Sequence, residues 1–163
     1  MAKTNVRRYY ISIRLVIIWI TVLKKRGNYR KAFDGFDPEK VARYGAAKIE
    51  ELMANEGIIR NRLKINAAIT NAVLFLEIAE KHGSFDKFIW GYVDYKPITG
   101  HHESIEVLPL TTQVSDKISR DLKKLGFKFV GTTIIYLFMQ SAGMVNDHLK
   151  TCIVFDEIFK AKL

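Results

Sequence analysis

Helix-starting and helix-stopping residues alternate along most of the chain, and this alternation constrains the fold more than any other feature. Asp37-Pro38-Glu39 combines an N-cap aspartate, a proline suited to the first turn and an acid beside it, which predicts a short helix to about Tyr44. From about residue 61 to residue 81, apolar residues recur at intervals of three and four, which predicts a long helix. The other predicted helices run over about 46–55, from a Ser84 cap through Trp90, from a Ser115 cap to about Leu125, and from Phe129 or Val130 to about Ala142.

Strand signals are weak, because no pair of alternating segments flanks a hairpin turn. Residues 92–114 contain Pro97, Gly100 and Pro109, and we expect them to form an irregular loop, the longest in the chain. The sequence therefore predicts an all-α fold in which short glycine turns join the helices.

A chain of 163 residues has the size of one domain, and we expect a single helical domain over residues 1–163. Hydrophobic residues make up 48% of the chain, which is enough to bury a core and excludes global disorder. Cys152 is the only cysteine, so an internal disulfide is excluded and a cytoplasmic location is expected.

The net charge of +9 belongs to one end of the chain. Residues 1–31 hold nine basic side chains and no acid, whereas the rest of the chain carries equal numbers of basic and acidic groups. A segment of this kind favours a polyanionic partner, which is either a nucleic acid or an anionic membrane surface.

An apolar run, Ile11 to Leu23, lies within the basic segment and raises the question of a membrane sequence. The run has 13 residues and is interrupted by Arg14, while a spanning helix needs about 20 apolar residues. Lys24-Lys25-Arg26 follows it, where a signal peptide would have small residues for cleavage. We therefore expect a buried helix with a basic end and no membrane partner.

Residues 122–133 predict two helices joined by a tight turn at Gly126, which can adopt the positive φ that such a turn needs. Backbone amides at the start of the second helix point outwards with the positive end of the helix dipole. A phosphate could bind there, close to Lys128, Thr132 and Thr133. This arrangement is typical of a helix-hairpin-helix DNA-binding element. The alternative interpretation of the same residues is a plain αα-corner without a ligand.

His148 and Cys152 stand four residues apart, a spacing that suits two ligands of one zinc ion. Two ligands are half of a structural site, and the histidines elsewhere, His82, His101 and His102, could complete it only through the tertiary structure. Zinc is therefore possible, and we expect less than one equivalent per chain. No motif indicates an organic cofactor, and no common hydrolase, metalloprotease or P-loop signature occurs.

Several stretches resemble the DNA-3-methyladenine glycosylase I family, in order and with matching spacing, from about Trp19 to Cys152. The last and longest of them covers the predicted turn at Gly126. They are Trp19 to Arg26 with Asn28-Tyr29-Arg30, Gly57 to Arg60 with Arg62 and Lys64-Ile65, Phe88-Ile89-Trp90, Leu122 to Met139, and Val145 to His148 with Cys152.

The resemblance implies a helix-hairpin-helix glycosylase fold and base-excision repair. Members of this family flip 3-methyladenine out of double-stranded DNA and hydrolyse its glycosidic bond, which requires the base to enter a pocket. Because the methylated base is cationic and leaves readily, an acidic, aromatic-lined pocket could do most of the catalytic work. Many relatives in the wider superfamily place a catalytic Asp in a Val-Asp motif, where this chain has Val145-Asn146.

The resemblance also assigns candidate residues, without identifying a catalytic one. Trp19 and Tyr136 are candidates for the base pocket, with Trp19 as a stacking wall. Gly126, Lys128, Gly131, Thr132 and Thr133 are candidates for binding DNA phosphates, and His148 and Cys152 for binding zinc.

Residues 1–18 depart from the family and form an atypical basic and apolar segment. Ile11 stands where the family has a pocket Glu, and the family's N-terminal zinc ligands have no counterpart. Leu137 replaces a usual Ser. We therefore expect a divergent or replaced N-terminus.

Three hypotheses follow. The first is a 3-methyladenine glycosylase, working as a monomer on alkylated double-stranded DNA. The second is a DNA-binding remnant of the same family that has lost catalysis, and the third is a protein of membrane surfaces.

Overall fold

The structure is a computed structural model, and it describes residues 23–153 and residue 155. Except for Leu23, the predicted N-terminal helix lies outside the described residues, as do Ile11 and Trp19. Two units are distinguished by their internal contacts, residues 1–69 and residues 70–163. Each unit is described by itself below.

Short helices build the described part of the first unit. They are α1 (Arg26–Ala32), α2 (Pro38–Ala42), α3 (Ala46–Ala54) and the start of α4 (Arg62–His82), with a 3-10 turn at Asp34–Phe36. Leu52 is fully buried, and Ile58 and Ile65 are almost so. Phe33 is also buried, and its ring stacks on that of Tyr29 with the ring centroids 6.1 Å apart.

The second unit contains the rest of α4 and three further helices. These are α5 (Phe85–Trp90), α6 (Gln113–Lys124) and α7 (Thr132–Ser141), with 3-10 turns at Gly91–Val93 and Ile105–Val107. Ile118 from α6 and Met139 from α7 are completely buried and pack in one cluster with Met144. The predicted all-α fold is confirmed, since helices dominate the described residues. None of those helices combines the length and hydropathy needed to cross a membrane.

Local capping signals placed most helix starts correctly. The Asp37 carboxylate accepts the amide of Glu39 at 3.0 Å, and the Ser84 hydroxyl accepts the amide of Lys87 at 2.9 Å. The prediction that Ser115 caps α6 is wrong, because the N-cap is Thr112. Ser115 lies three residues after Thr112, and its Oγ accepts a hydrogen bond from the Thr112 amide at 2.8 Å, as in a capping box.

The predicted start of α7 at Phe129 or Val130 is also wrong, because the helix begins at Thr132. Phe129 has a φ of 58°, which a right-handed helix excludes. Gly131 is extended, with φ −62° and ψ 153°, and serves as the N-cap. The turn between α6 and α7 is therefore longer than expected, and residues 125–131 are called the hairpin below.

The predicted irregular loop 92–114 contains a short strand, β1 (Ile98–Thr99), which pairs in parallel with β2 (Val145–Asn146). The amide of Ile98 donates to the Met144 carbonyl at 2.9 Å, and the amide of Gly100 donates to the Asn146 carbonyl at the same distance. A rule that searches for hairpin turns cannot find a parallel pair whose strands are far apart in sequence.

The hairpin backbone is held by hydrogen bonds on both sides. At its start, the Phe127 amide donates to the Leu122 carbonyl at 3.0 Å, and Gly126 turns the chain with a φ of 102°. At its end, the buried Ser119 hydroxyl donates to the Val130 carbonyl at 2.7 Å. The predicted turn at Gly126 is thus present, and its conformation requires glycine.

We predict that Gly126→Ala lowers the free energy of unfolding by about 1–2 kcal/mol, because a Cβ is strained at this positive φ. Gly91→Ala is the matched control, since Gly91 has helical angles (φ −59°, ψ −22°). The control should be neutral or stabilising by up to about 1 kcal/mol. Urea unfolding followed by circular dichroism measures the free energy of unfolding of both variants. Equal changes at the two positions would contradict the conclusion that Gly126 is required by its positive φ.

Candidate functional site

The N-terminus of α7 presents uncapped amides. Ile135 is the first residue of this helix to make the intrahelical bond, its amide donating to the Gly131 carbonyl at 2.9 Å. The amides of residues 132–134 precede that bond, and no side chain among the described residues caps the helix. The positive end of the helix dipole is therefore available to an anion.

Gly131 leaves the start of α7 uncovered. Its φ of −62° suits any residue, and an added Cβ would meet no atom of the described residues within 4 Å. Neither conformation nor packing excludes a side chain there. The absence of one keeps the space in front of the α7 amides open to a close approach.

Thr132 and Thr133 play different parts. The Thr132 hydroxyl donates to the Asp116 carboxylate at 2.5 Å and lies 3.0 Å from the Ser115 hydroxyl. It ties the start of α7 to the start of α6, and it is not turned to a ligand in this structure. Thr133 is exposed, so its side chain is the accessible one of the predicted pair.

Lys128 is exposed, and its backbone is held by a residue that sequence reasoning missed. The side-chain amide of Asn71 accepts the Lys128 N–H at 2.8 Å and donates to the Lys128 carbonyl at 3.0 Å. Asn71 lies on α4, far from the hairpin in sequence, so no local signal could have found it. These two bonds fix the hairpin at the residue where its basic side chain emerges.

Tyr136 is buried, with 2% of the residue exposed, and its hydroxyl donates to the Asp147 carboxylate. Burial first, and then this hydrogen bond, raise the pKa of Tyr136 well above its ordinary value. The other oxygen of Asp147 lies 2.8 Å from His102 Nε2, and only 6% of the Asp147 side chain is exposed. The Tyr136 hydroxyl is thus committed to a network that joins α7 to the segment after β1.

Gly100 makes this network possible. Its amide continues the pairing of β1 with β2, and a Cβ at Gly100 would overlap the side chains of Asp147 and His102. Glycine is required here by close approach, not by its backbone angles.

Asn146 is a buried polar residue at the end of β2, and its hydrogen bonds show what it does in this structure. The residue is 1% exposed. Its side-chain nitrogen donates to the Phe155 carbonyl at 3.1 Å, and its side-chain oxygen accepts the His148 amide at 3.2 Å. Asn146 holds the segment that follows β2, and it supplies no carboxylate for a reaction.

His148 and Cys152 are brought together as predicted, with Nδ1 and Sγ 3.5 Å apart. Tetrahedral zinc with ordinary bond lengths separates a sulfur and a nitrogen ligand by about 3.5 Å, so the pair fits one metal ion. No group of three or more ligands occurs among the described residues. His102 is paired with Asp147, and His82 lies 5.0 Å from the Phe88 ring. The described residues therefore bring together two side chains that could bind one metal ion, without a third beside them.

Comparisons with known proteins agree over most of the chain. The sequence model of the methyladenine glycosylase family matches residues 13–155. DNA-3-methyladenine glycosylase 1 of Escherichia coli K12 is 48% identical over 134 residues, which are 82% of this chain and 72% of that protein. The DNA-3-methyladenine glycosylase of Haemophilus influenzae is 46% identical with the same coverage.

The fold agrees as well. The solved structure of 3-methyladenine DNA glycosylase I from Staphylococcus aureus, described as the basis of 3-methyladenine recognition, superposes with a TM-score of 0.79. It is 38% identical and covers 83% of this chain and 72% of the other. The family match extends across both units and includes the hairpin, the start of α7 and the His148–Cys152 pair, and on this ground the chain belongs to the methyladenine glycosylase family.

Proposed function

We propose that this chain is a DNA-3-methyladenine glycosylase of base-excision repair, which flips the alkylated base out of double-stranded DNA and hydrolyses its glycosidic bond. Membership of a family whose relatives carry that name at 46–48% identity supports the proposal most directly. The S. aureus relative is named for its recognition of 3-methyladenine. The proposal includes a monomeric protein in the cytoplasm, with no organic cofactor and no membrane partner.

The DNA-binding part of the proposal is supported by the second unit. Exposed lysines line the chain on both sides of Gly126, and the α7 amides open onto a glycine that leaves room for a phosphate. Lys128 and Thr133 supply accessible polar groups beside those amides. An anion bound there would be stabilised by backbone dipoles and by lysine charges together.

The proposed chemistry suits a site without a carboxylate at the Asn146 position. Alkylation makes the base cationic, so cleavage of the bond to C1′ releases a neutral base, and water then adds to C1′. Such a leaving group departs as a neutral base without receiving a proton from a general acid, whereas a normal purine needs that proton. The protein's contribution is then to bind and orient the base, with Trp19 as the stacking candidate and Tyr136 as a second pocket candidate.

A DNA-binding remnant without catalysis is the second candidate, and the sequence itself favours it at one point. Ile11 stands where the family has its pocket Glu. An isoleucine cannot accept a hydrogen bond from the base or balance its positive charge. The two candidates therefore agree on DNA binding and differ in base release.

We predict that the purified chain releases free 3-methyladenine from alkylated duplex DNA faster than the base leaves spontaneously. Chromatography of the released base measures this, with alkylated DNA alone as the control for spontaneous loss. Release at the control rate, with duplex binding retained, would reject the glycosylase and leave the DNA-binding remnant.

We predict that Gly131→Ser weakens duplex binding about tenfold without lowering stability. Serine is a favourable N-cap, so the α7 helix should be as stable as before, while the new side chain fills the approach to its amides. Gly45→Ser is the matched control, since Gly45 is also an N-cap and an added Cβ would meet no atom of the described part of the chain within 4 Å. Fluorescence anisotropy with a labelled duplex measures the affinity of each variant. If both variants bound DNA as tightly as the parent, the α7 N-terminus would not be the phosphate-binding site.

We propose that the chain binds zinc at less than one equivalent, through His148 and Cys152. Their 3.5 Å separation supports binding, and the lack of a third ligand among the described residues supports incomplete occupancy. Metal analysis of the purified chain and of His148→Ala measures this. A full equivalent in the parent that His148→Ala loses would show that other residues complete the site.

A further inference from the structure

Phe129 is an unusual residue for its position. It has a φ of 58°, a conformation that glycine adopts freely and that bulky residues rarely adopt. Its side chain is not compensated by burial, because 58% of the residue is exposed. Neither its backbone conformation nor its packing among the described residues accounts for a phenylalanine here, and its exposed ring is accessible to a partner.

The backbone on both sides of Phe129 is fixed. Asn71 makes two hydrogen bonds to Lys128, at 2.8 and 3.0 Å, and Ser119 bonds the Val130 carbonyl at 2.7 Å. Phe129 is therefore held between two anchored neighbours. Its ring is presented at a defined place on the hairpin, which reduces the entropy that a partner must remove on binding.

The charge around the ring selects the kind of partner. Lys123, Lys124 and Lys128 are exposed, and the sequence contains no acid from residue 122 to residue 146. Lys124 has one weak ion pair, 4.0 Å from Asp121, and most of its side chain is exposed. An exposed apolar ring in a segment that carries lysines and no acid complements a nucleic-acid strand, whose sugars and base faces are apolar and whose phosphates are charged.

We propose that Phe129 contacts the bound DNA directly, its ring packing on a deoxyribose or base face of the strand whose phosphates meet Lys128 and the α6 lysines Lys123 and Lys124. The inference rests on the proposed function and adds to it an uncharged contact. The lysines would supply most of the salt-dependent affinity, and Phe129 would add a term that salt does not screen.

Phe129→Gly tests this. Glycine relieves the positive φ, so the variant should be as stable as the parent or more so in urea unfolding. Affinity for a short fluorescent duplex should fall at least about fivefold, because aromatic contacts to nucleic acid contribute about 1 kcal/mol or more. The slope of log affinity against log salt should not change, whereas Lys128→Ala should reduce it by about one.

Phe36→Gly is the matched control. Phe36 is also a phenylalanine at positive φ, 64°, and is 55% exposed, but it lies in the first unit in a 3-10 turn. Its substitution should leave duplex affinity unchanged. If Phe129→Gly folds poorly, Phe129→Asn replaces it, since asparagine tolerates the same backbone region.

The possible outcomes distinguish failure of the Phe129 contact from failure of the proposed function. A parent chain that does not bind duplex DNA would reject the proposed function and this contact with it. A parent that binds, with Phe129→Gly binding equally well, would reject the contact alone. A change in the oligomeric state of Phe129→Gly at unchanged affinity, seen by sedimentation, would reassign the ring to a contact between copies of the chain.

Discussion

The anchoring of the hairpin backbone by Asn71 and Ser119 is the constraint on which the candidate interface depends. Within the hairpin, Phe127 and Val130 pack in or against the core of the second unit, whereas Lys128 and Phe129 are exposed. One side chain from α4 and one from α6 supply three hydrogen bonds between 2.7 and 3.0 Å. Each contributes about 1 kcal/mol, and leaving the buried partner unpaired costs about 1–3 kcal/mol. Without them, the backbone at Lys128 and Val130 would lose these bonds, whereas the start of α7 would keep its connection to α6 through Thr132.

Local chemistry explains which parts of the fold were predictable. Asp37 and Ser84 bond the amides of their own helices, so a short stretch of sequence contains the whole interaction. The error at Ser115 has the same origin, since a capping box contains two hydroxyl residues and only the tertiary structure shows which is the N-cap. The late start of α7 depends on the backbone of Phe129, which no propensity would place at positive φ.

The site was predictable only where its residues are close together in the sequence. His148 and Cys152 are close because they are four residues apart, and the accessible N-terminus of α7 follows from the turn before it. Asn71 with Lys128, Asp147 with His102 and Thr132 with Asp116 are long-range pairs. Their partners are ordinary polar residues on other helices or loops, and sequence spacing cannot pair them. The roles of Tyr136 and Thr132 in binding remain predictions, and their observed bonds are structural.

The structure and the chemistry of the substrate together suggest how the work is divided. The Asn146 side chain is held by two hydrogen bonds and carries no carboxylate that could act as a base. A cationic purine leaves readily without one, provided that it is held out of the duplex. Holding a flipped base requires the strand to be fixed on either side of the gap, which costs unstacking energy of a few kcal/mol. In the proposed function, charged and apolar contacts from the hairpin would offset that cost, and the anchoring of Lys128 and Phe129 would then serve the reaction.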